Sequence, residues 1–130
     1  MNLERMAEAA SPVGTSVLVV EDDIEIRHLL ATRLRESGFT VREASDASEA
    51  LRLMDTAIHI DALITDVEMP GHINGISLAE QARARRPDLR VIVVSGTNAA
   101  EEVRRRGMAF FLKPYDLSSL ITSIREDATQ

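Results

Sequence analysis

Charged and hydroxyl side chains follow four apolar stretches of this sequence, and their types suit the chemistry of a phosphoryl group. Asp66 follows ALIT and precedes a second acid and a Met-Pro-Gly turn, although burial at the end of a strand penalises charge. The residues that take the same place elsewhere are Glu21, Asp22 and Asp23 after SVLVV, Ser95 at the end of RVIVVS, and Lys113 after MAFFL. A fold that gathers these stretch ends would form an acidic pocket containing one cation and one hydroxyl group.

Short apolar stretches alternate with amphipathic ones along the chain, which indicates alternating strands and helices. Strands are expected at 16–20, 39–44, 61–65, 90–95 and 108–112, and a helix is expected after each of them. Strands that are apolar throughout and separated by helices are typical of a parallel sheet covered on both faces. The sequence therefore predicts an α/β fold of three layers, doubly wound around a five-stranded parallel sheet.

The first predicted helix carries an apolar stripe. Ile26, Leu30 and Leu34 recur at helical spacing with Leu29 beside them, so this stripe is expected to face the sheet. The third of the three acids before the helix, Asp23, is expected to cap its first turn.

Two further helices begin with the pattern of a capping box, in which Asp or Asn is followed three residues later by Glu. The pairs are Asp46 with Glu49 in the second helix and Asn98 with Glu101 in the fourth. The fourth helix is short and offers few apolar side chains to the core. We therefore expect it to bury little area and to be the least stable element.

The parallel arrangement predicts where the chemistry lies, because the carboxyl ends of all strands open onto one edge of the sheet. Each pair of carboxylates about 4 Å apart would cost on the order of 4 kcal/mol at an effective dielectric near 20, more than one lysine offsets. Oxygen ligands without cysteine favour Mg²⁺ first and Mn²⁺ second. This places a phosphoryl group beside Asp66, with Lys113 and Ser95 as partners of its oxygens and Asp66 as the nucleophile that forms an acyl phosphate.

Composition narrows the class of protein. The 130 residues suit one domain, and the 45% of apolar residues supply a core that is mainly aliphatic, since only 3% are aromatic. The net charge of -6 argues against direct binding to nucleic acid or to an anionic membrane. The absence of cysteine excludes disulfides and thiol catalysis. Residues 1–14 are expected to be a flexible extension and not a secretory signal.

Four motifs in order, VLVVEDD, LITDVEMPG, VVSG and FLKPY, resemble the receiver domain of two-component response regulators. The resemblance covers residues 15–128, the predicted domain. It implies the flavodoxin-like, CheY-like receiver fold, with the five strands in the order 2-1-3-4-5. It also implies a cytoplasmic signalling domain that catalyses its own phosphorylation and dephosphorylation and is not an enzyme acting on a metabolite.

The resemblance assigns a role to each motif residue. Asp66 is implied to be the phosphoacceptor and a Mg²⁺ ligand. Ser95 is implied to be the switch hydroxyl, and Phe110 the aromatic switch residue. The remaining implied roles are metal binding by Asp22, water-mediated assistance by Glu21, a backbone carbonyl ligand from Glu68, and pairing of Lys113 with the phosphoryl group, with a cis bond between Lys113 and Pro114.

The partners implied are a histidine kinase or histidine phosphotransfer protein as phosphodonor and a downstream protein as target. No direct contact with nucleic acid or membrane is expected, and the chain is expected to be a monomer or weak homodimer. The loop MPGHINGIS is one residue longer than is usual in the family, and the segment from Ser95 to Lys113 is about one helical turn short. In this the chain resembles receivers in stand-alone or kinase-linked proteins of alphaproteobacteria.

Two other functions fit the same residues. An aspartyl-phosphate phosphohydrolase would use a second acid two residues after the nucleophile, where Glu68 stands. A degenerate receiver would act as a constitutive docking module. Phe110 fits a core position as well as a switch. The three histidines show no metal spacing and are expected to be solvated or to have protein partners: His28, His59 and His72.

Overall fold

The computed structural model describes residues 15–126, and the expected extension over 1–14 and positions 127–128 lie outside the described residues. Strands and helices alternate as predicted, with ends within two residues of those expected. The elements are β1 Ser16–Val20, α1 Ile24–Glu36, β2 Thr40–Ala44, α2 Ala47–Met54, β3 Ala62–Asp66, α3 Gly75–Arg85, β4 Arg90–Ser95, α4 Ala100–Arg105, β5 Ala109–Leu112 and α5 Leu117–Glu126.

The five strands form one parallel sheet in the order β2-β1-β3-β4-β5, as predicted. Val20 of β1 pairs with Thr65 of β3, and Asp66 pairs with Val94 of β4. Ser95 in turn pairs with Leu112 of β5. Because the central strands end within about one residue of each other, the residues after them meet at a common edge.

The sheet separates two apolar cores. Successive side chains of a strand point to opposite faces, so Val17 and Val19 pack with α1 and α5, while Leu18 and Val20 pack with α2, α3 and α4. This is the predicted three-layer, doubly wound arrangement. Among residues 15–126, no helix has both the length and the apolarity needed to cross a membrane.

The predicted apolar stripe of α1 is wrong in part. Leu30 and Leu34 are buried, but Ile26 and Leu29 are 50% and 57% exposed. Arg27 takes the inward position of the first turn, where its guanidinium donates to a backbone carbonyl after β1 at 2.9 Å and to a carboxylate of β2 at 3.2 Å. The buried face of α1 is therefore rotated around the helix axis by about one residue position from the apolar stripe.

The two predicted capping boxes form differently from the expectation. Asp46 caps α2 by accepting from the backbone N–H of Glu49 at 2.8 Å, but the Glu49 carboxylate accepts from the N–H of Ser45. Asn98 accepts only from the N–H of Ala100, and the cap residue of α4, which follows it, has no side-chain capping bond. In α2 the glutamate therefore bonds to the residue before the cap and not to the cap itself. Before α4 the capping box is replaced by a local turn at Asn98.

Helix α4 has the small buried surface that was expected. Of its six residues only Val103 is buried, and Ala100 is half-buried. This helix follows the strand end that carries Ser95. Its low stability stays a prediction, but the burial on which that prediction depends is confirmed.

Gly75 lets α3 begin directly against the end of β3. A Cβ atom at this position would lie 1.9 Å from the backbone oxygen of Asp66, far inside the contact distance of non-bonded atoms. The N–H of Gly75 donates to the backbone oxygen of Val67 at 2.9 Å, which holds the two segments together. The backbone that carries Asp66 is therefore positioned by contact with the first turn of a helix.

Substitution of Gly75 by alanine is expected to reduce the free energy of unfolding by about 1–3 kcal/mol, because the methyl group must displace backbone atoms. Urea unfolding followed by circular dichroism measures this. Gly96→Ala is the matched control, since a Cβ atom there meets nothing within 4 Å, and it should stay within about 0.5 kcal/mol of the wild type. Equal stability of the two variants would contradict the role of the close approach.

Candidate functional site

Polar side chains from four strand ends meet at the carboxyl edge of the sheet. Glu21 follows β1, Asp66 ends β3, Ser95 ends β4, and Lys113 follows β5. The first three are buried although they are polar, and Lys113 is half-buried. The structure therefore brings together the residues that the sequence placed at separate strand ends.

Asp66 is the central carboxylate of this site and is only 5% exposed. One carboxylate oxygen accepts a hydrogen bond from the Lys113 ammonium, and the other accepts from the backbone N–H of Glu68 at 3.2 Å. Both oxygens thus have a donor, which is what a buried carboxylate requires. One oxygen of the carboxylate is thus bonded to a cation that lies 47 residues further along the chain.

Lys113 reaches the acids because β5 pairs with β4. Its backbone N–H donates to the backbone oxygen of Ser95 at 2.8 Å, and its ammonium lies 3.5 Å from a Glu21 carboxylate oxygen in addition to its bond with Asp66. Burial alone lowers the pKa of Lys113, but the bond to Asp66 and the negative charges around it outweigh burial, so the pKa is raised above 10.5. The bond between Lys113 and Pro114 is cis, as the resemblance implied.

Glu21 is a buried acid with few compensating contacts. It is 7% exposed and accepts a hydrogen bond from the backbone N–H of Asp23 at 3.1 Å. Burial raises the pKa of the Glu21 carboxyl above 4.5, and Asp22 and Asp66 add to this. The N–H of Asp23 and the ammonium of Lys113 act in the opposite direction but do not outweigh burial. The pocket therefore carries more negative charge than its one lysine neutralises.

The acids at this edge do not converge as closely as the sequence suggested. Asp22 is exposed, and Asp23 caps α1 through the backbone N–H groups of Glu25 and Ile26, as predicted. Among residues 15–126, no three His, Cys, Asp or Glu side chains form a group that could hold a metal ion as placed. Magnesium binding stays a prediction, with ligands that are all oxygen atoms at one edge of the sheet.

Ser95 has partners that the sequence did not indicate. The residue is fully buried, and its hydroxyl donates to the Glu68 carboxylate, whose two oxygens lie at 3.0 and 2.9 Å. The same oxygen accepts from the backbone N–H of Thr97 at 3.0 Å and lies 3.1 Å from the Thr97 hydroxyl. Glu68 was expected to contribute a backbone carbonyl in a receiver, or a catalytic acid in a phosphohydrolase. No signal within the sequence pointed to a bond between its side chain and Ser95, or to Thr97.

Phe110 lies in the core on the α2, α3 and α4 side of the sheet and is 7% exposed. This position fits the core role considered for it, and its role as a switch stays a prediction. The histidines lie away from the acids: His28, His59 and His72 are exposed, and His59 contacts Asp61 at 2.6 Å. Their expected solvated state or pairing is confirmed.

An apolar cavity of about 440 Å³ opens beside the acids, between α1 and the loop that follows β5. Ile26, Val94 and Tyr115 contribute to its walls, and Glu21 and Lys113 close its polar end. Burial raises the pKa of Tyr115 above 10. The chain thus offers an apolar surface directly next to its charged pocket.

Exposed apolar side chains extend this surface along α1. Ile26 and Leu29 are 50% and 57% exposed and line a common groove with Tyr115 and Leu117. We call Ile26 and Leu29 the α1 apolar patch. Large apolar side chains clustered in solvent commonly mark a site of protein association.

Comparison with known proteins agrees with the geometry. A family model described as the response regulator receiver domain matches residues 17–125. The sensor kinase CckA of Brucella abortus (strain 2308) is 33% identical over 132 residues, which cover 95% of this chain and 14% of that kinase. The chain therefore matches a small part of a much longer relative.

Two solved structures show the same likeness. The crystal structure of the receiver domain from the hybrid histidine kinase CckA is 35% identical, with a TM-score of 0.72, and covers 86% of this chain and 97% of that one. The response regulator TrrA from Thermotoga maritima, solved in complex with Mg²⁺ and BeF, is 27% identical with a TM-score of 0.75, covering 87% and 98%. The likeness to a receiver carried by a kinase agrees with the kinase-linked resemblance noted for the sequence.

Glu21→Gln is expected to increase the free energy of unfolding at pH 7, measured by urea denaturation in buffer with a metal chelator. Glu21 carries a raised pKa in the folded protein, so its ionisation favours unfolding. The loss of stability caused by ionising Glu21 is absent below pH 4.5, where the carboxyl is protonated in both states. It grows as the pH rises from there through the pKa of the folded state, and it is complete above that pKa. The gain of the variant over the wild type should therefore grow from pH 4 to pH 7. A gain of equal size at both ends of that range would contradict the assignment.

Proposed function

The chain belongs to the family of response regulator receiver domains, and from this membership we propose that it is the phosphoacceptor of a two-component phosphorelay. Asp66 takes a phosphoryl group from a histidine kinase or from a histidine phosphotransfer protein. The chain catalyses this transfer and the later hydrolysis on its own side chain. The proposal implies a cytoplasmic location, where such donors are phosphorylated.

The observation that carries the proposal is the buried carboxylate of Asp66 held by the Lys113 ammonium at the carboxyl edge of the sheet. An aspartate carboxylate can act as a nucleophile toward phosphorus, and here the ammonium of Lys113 holds it in a fixed orientation. The same cation lies where negative charge on a transferred phosphoryl group would develop. Stabilisation of that charge by a preorganised donor is a large part of catalysis at such sites.

In the proposed reaction an Asp66 carboxylate oxygen forms a bond to phosphorus while the bond from phosphorus to the histidine nitrogen breaks. The nitrogen keeps the electron pair of the broken bond. Lys113 moves part of its contact from Asp66 to a phosphoryl oxygen, and the Ser95 hydroxyl donates to another. When the signal ends, a water oxygen forms a bond to phosphorus while the bond from phosphorus to the Asp66 oxygen breaks. Inorganic phosphate leaves, the proton of the water passes to solvent, and the Asp66 carboxylate is restored.

Residues at this edge would hold a magnesium ion, with manganese as the second choice. The ligands would be Asp22, Asp66 and the backbone carbonyl of Glu68, with Glu21 assisting through water. The placement of Glu21 and Asp66 supports this assignment, because two buried carboxyl groups share the single ammonium of Lys113 there. When bound, the cation supplies the positive charge that the single lysine lacks.

Signalling would follow from the movement of Ser95 toward the phosphoryl group. Ser95 ends β4 and leads into the segment that contains α4, a helix that buries only Val103. A helix with so little buried surface is readily displaced. The surface formed by residues 96–115, including the predicted switch residue Phe110, would then change and present a different face to a downstream protein.

A protein phosphodonor must bring its phosphohistidine to Asp66, and the α1 apolar patch lies beside that opening. Ile26 belongs to the patch and also lines the cavity that Glu21 and Lys113 close. Apolar contact supplies affinity, while the acids and the lysine select the reacting group. We therefore assign docking of the donor to this side of the molecule.

The alternatives raised by the sequence receive less support. A phosphohydrolase would need the Glu68 carboxylate as a catalytic acid, but that carboxylate is bonded to Ser95. A degenerate docking module would not need the acceptor, the lysine and the hydroxyl together. Turnover of a generic phosphate ester distinguishes the first alternative, and the absence of any spectral response to Mg²⁺ distinguishes the second.

Asp66→Asn is expected to abolish phosphorylation, because the amide is not a nucleophile. Incubation with acetyl phosphate and Mg²⁺, followed by intact-protein mass spectrometry, should show one added phosphoryl group on the wild type and none on the variant. Asp55→Asn is the matched control, since Asp55 forms a surface ion pair with Arg85, and it should be labelled like the wild type. Labelling of the Asp66 variant, or no labelling of the wild type, would contradict the proposal.

Leu29→Asp is expected to slow phosphotransfer from a protein donor at least about tenfold, because it places a charge within the α1 apolar patch. Labelling by acetyl phosphate should be unchanged, since the small donor needs no docking surface. Ala57→Asp adds the same charge at an exposed position after α2 and should leave both rates near those of the wild type. Equal slowing by both variants would show that net charge, and not the patch, controls transfer.

A further inference from the structure

The Ser95 hydroxyl group has used its entire hydrogen-bonding capacity. A serine hydroxyl has one proton to donate and two lone pairs to accept with. The proton is directed to the Glu68 carboxylate, with both oxygens within 3.0 Å, and the lone pairs face the Thr97 N–H and the Thr97 hydroxyl. Ser95 therefore has no free donor for any other acceptor.

Glu68 connects this hydroxyl to the acceptor carboxylate. Its backbone N–H donates to Asp66 at 3.2 Å, while its side chain, on the same residue, receives the Ser95 proton. Among residues 15–126 the Glu68 carboxylate has no ion-pair partner. The hydrogen bond from Ser95 is therefore the interaction that holds the Glu68 carboxylate in place among the described residues.

A hydroxyl cannot donate its single proton to Glu68 and to a group on Asp66 at once. Any acceptor bound at Asp66 must therefore compete with a carboxylate, which is a stronger acceptor than a neutral oxygen. Glu68 is exposed while Ser95 is fully buried. Water can solvate the carboxylate once it is released, so the competition is reversible and not a permanent block.

We propose that the Glu68 side chain is a latch that holds Ser95 in its resting position and sets the threshold for switching. This inference rests on the proposed function, whose switching step it regulates. Glu68 acts through Ser95 and is a positioning residue. Its removal leaves Ser95 free to donate toward Asp66, so the responsive state should form at lower ligand concentration.

The test uses beryllium fluoride with Mg²⁺ as a phosphoryl mimic, titrated into the full chain. The amide resonance of Thr97, which reports the Ser95 contact, is followed by NMR. Glu68→Ala should lower the half-saturating concentration about three- to tenfold, the range expected for one hydrogen bond. Glu101→Gln removes an exposed acid from α4, and it should respond like the wild type.

A double-substitution cycle separates the latch from simple repulsion of an anion by Glu68. If Glu68 acts through the hydroxyl, Glu68→Ala should have no more than a small effect when Ser95 is already alanine. Glu68→Gln keeps an acceptor without the charge and should fall between the wild type and Glu68→Ala. In the absence of ligand, Glu68→Ala should already shift the Thr97 resonance.

Two results would overturn the latch: an unchanged half-saturating concentration in Glu68→Ala, or an equal decrease with and without the Ser95 hydroxyl. In both cases the wild type would still respond to beryllium fluoride, and the proposed function would stand. Failure of the proposed function looks different, because the wild type and every variant would then show no saturable response at all. That result would overturn both.

Discussion

The ion pair between Asp66 and Lys113 is the interaction on which the site depends, because it gives a buried carboxylate a counter-ion at the edge of the sheet. Burying a lone ion costs several kcal/mol, so a cation has to be delivered to the same place. Lys113 is delivered by the pairing of β5 with β4, through the bond from its backbone N–H to Ser95. The placement of β5 beside β4 is thus needed to bring the lysine charge to the Asp66 carboxylate.

One lysine does not balance the whole pocket. Glu21 is also buried there, 3.5 Å from the same ammonium, and burial raises its pKa. The divalent cation proposed for this edge would supply the positive charge that the second acid lacks. Buried ionisable groups of this kind are typical of ligand sites.

The central strands and the segments around them differ in how deeply they are buried. β1, β3 and β4 are buried on both faces and hold the acids in fixed positions. Gly75 adds a contact between α3 and the backbone of Asp66 that no larger residue permits. By contrast α4 is short and buries only Val103, so it shares little surface with the strands.

Several expectations failed where tertiary contacts competed with local patterns. The apolar stripe of α1 predicted the inward face, but Arg27 occupies that face because it reaches a carbonyl after β1 and a carboxylate of β2. Glu49 bonds one residue earlier than a capping box requires. In both cases a polar side chain forms a hydrogen bond with a partner that the fold brings within reach. The periodicity of apolar residues does not indicate which partner that will be.

The sequence by itself determined the alternation of strands and helices, the parallel sheet and the four strand ends with polar residues. These follow from apolar periodicity and residue type, which are local properties of the chain. Only the tertiary structure decided that the Ser95 hydroxyl bonds to Glu68, that Asp22 is exposed, and that Gly75 touches the Asp66 backbone. The physical reason is that a hydrogen bond requires alignment within a few tenths of an ångström. Such alignment between residues 27 positions apart depends on the packing of the whole domain.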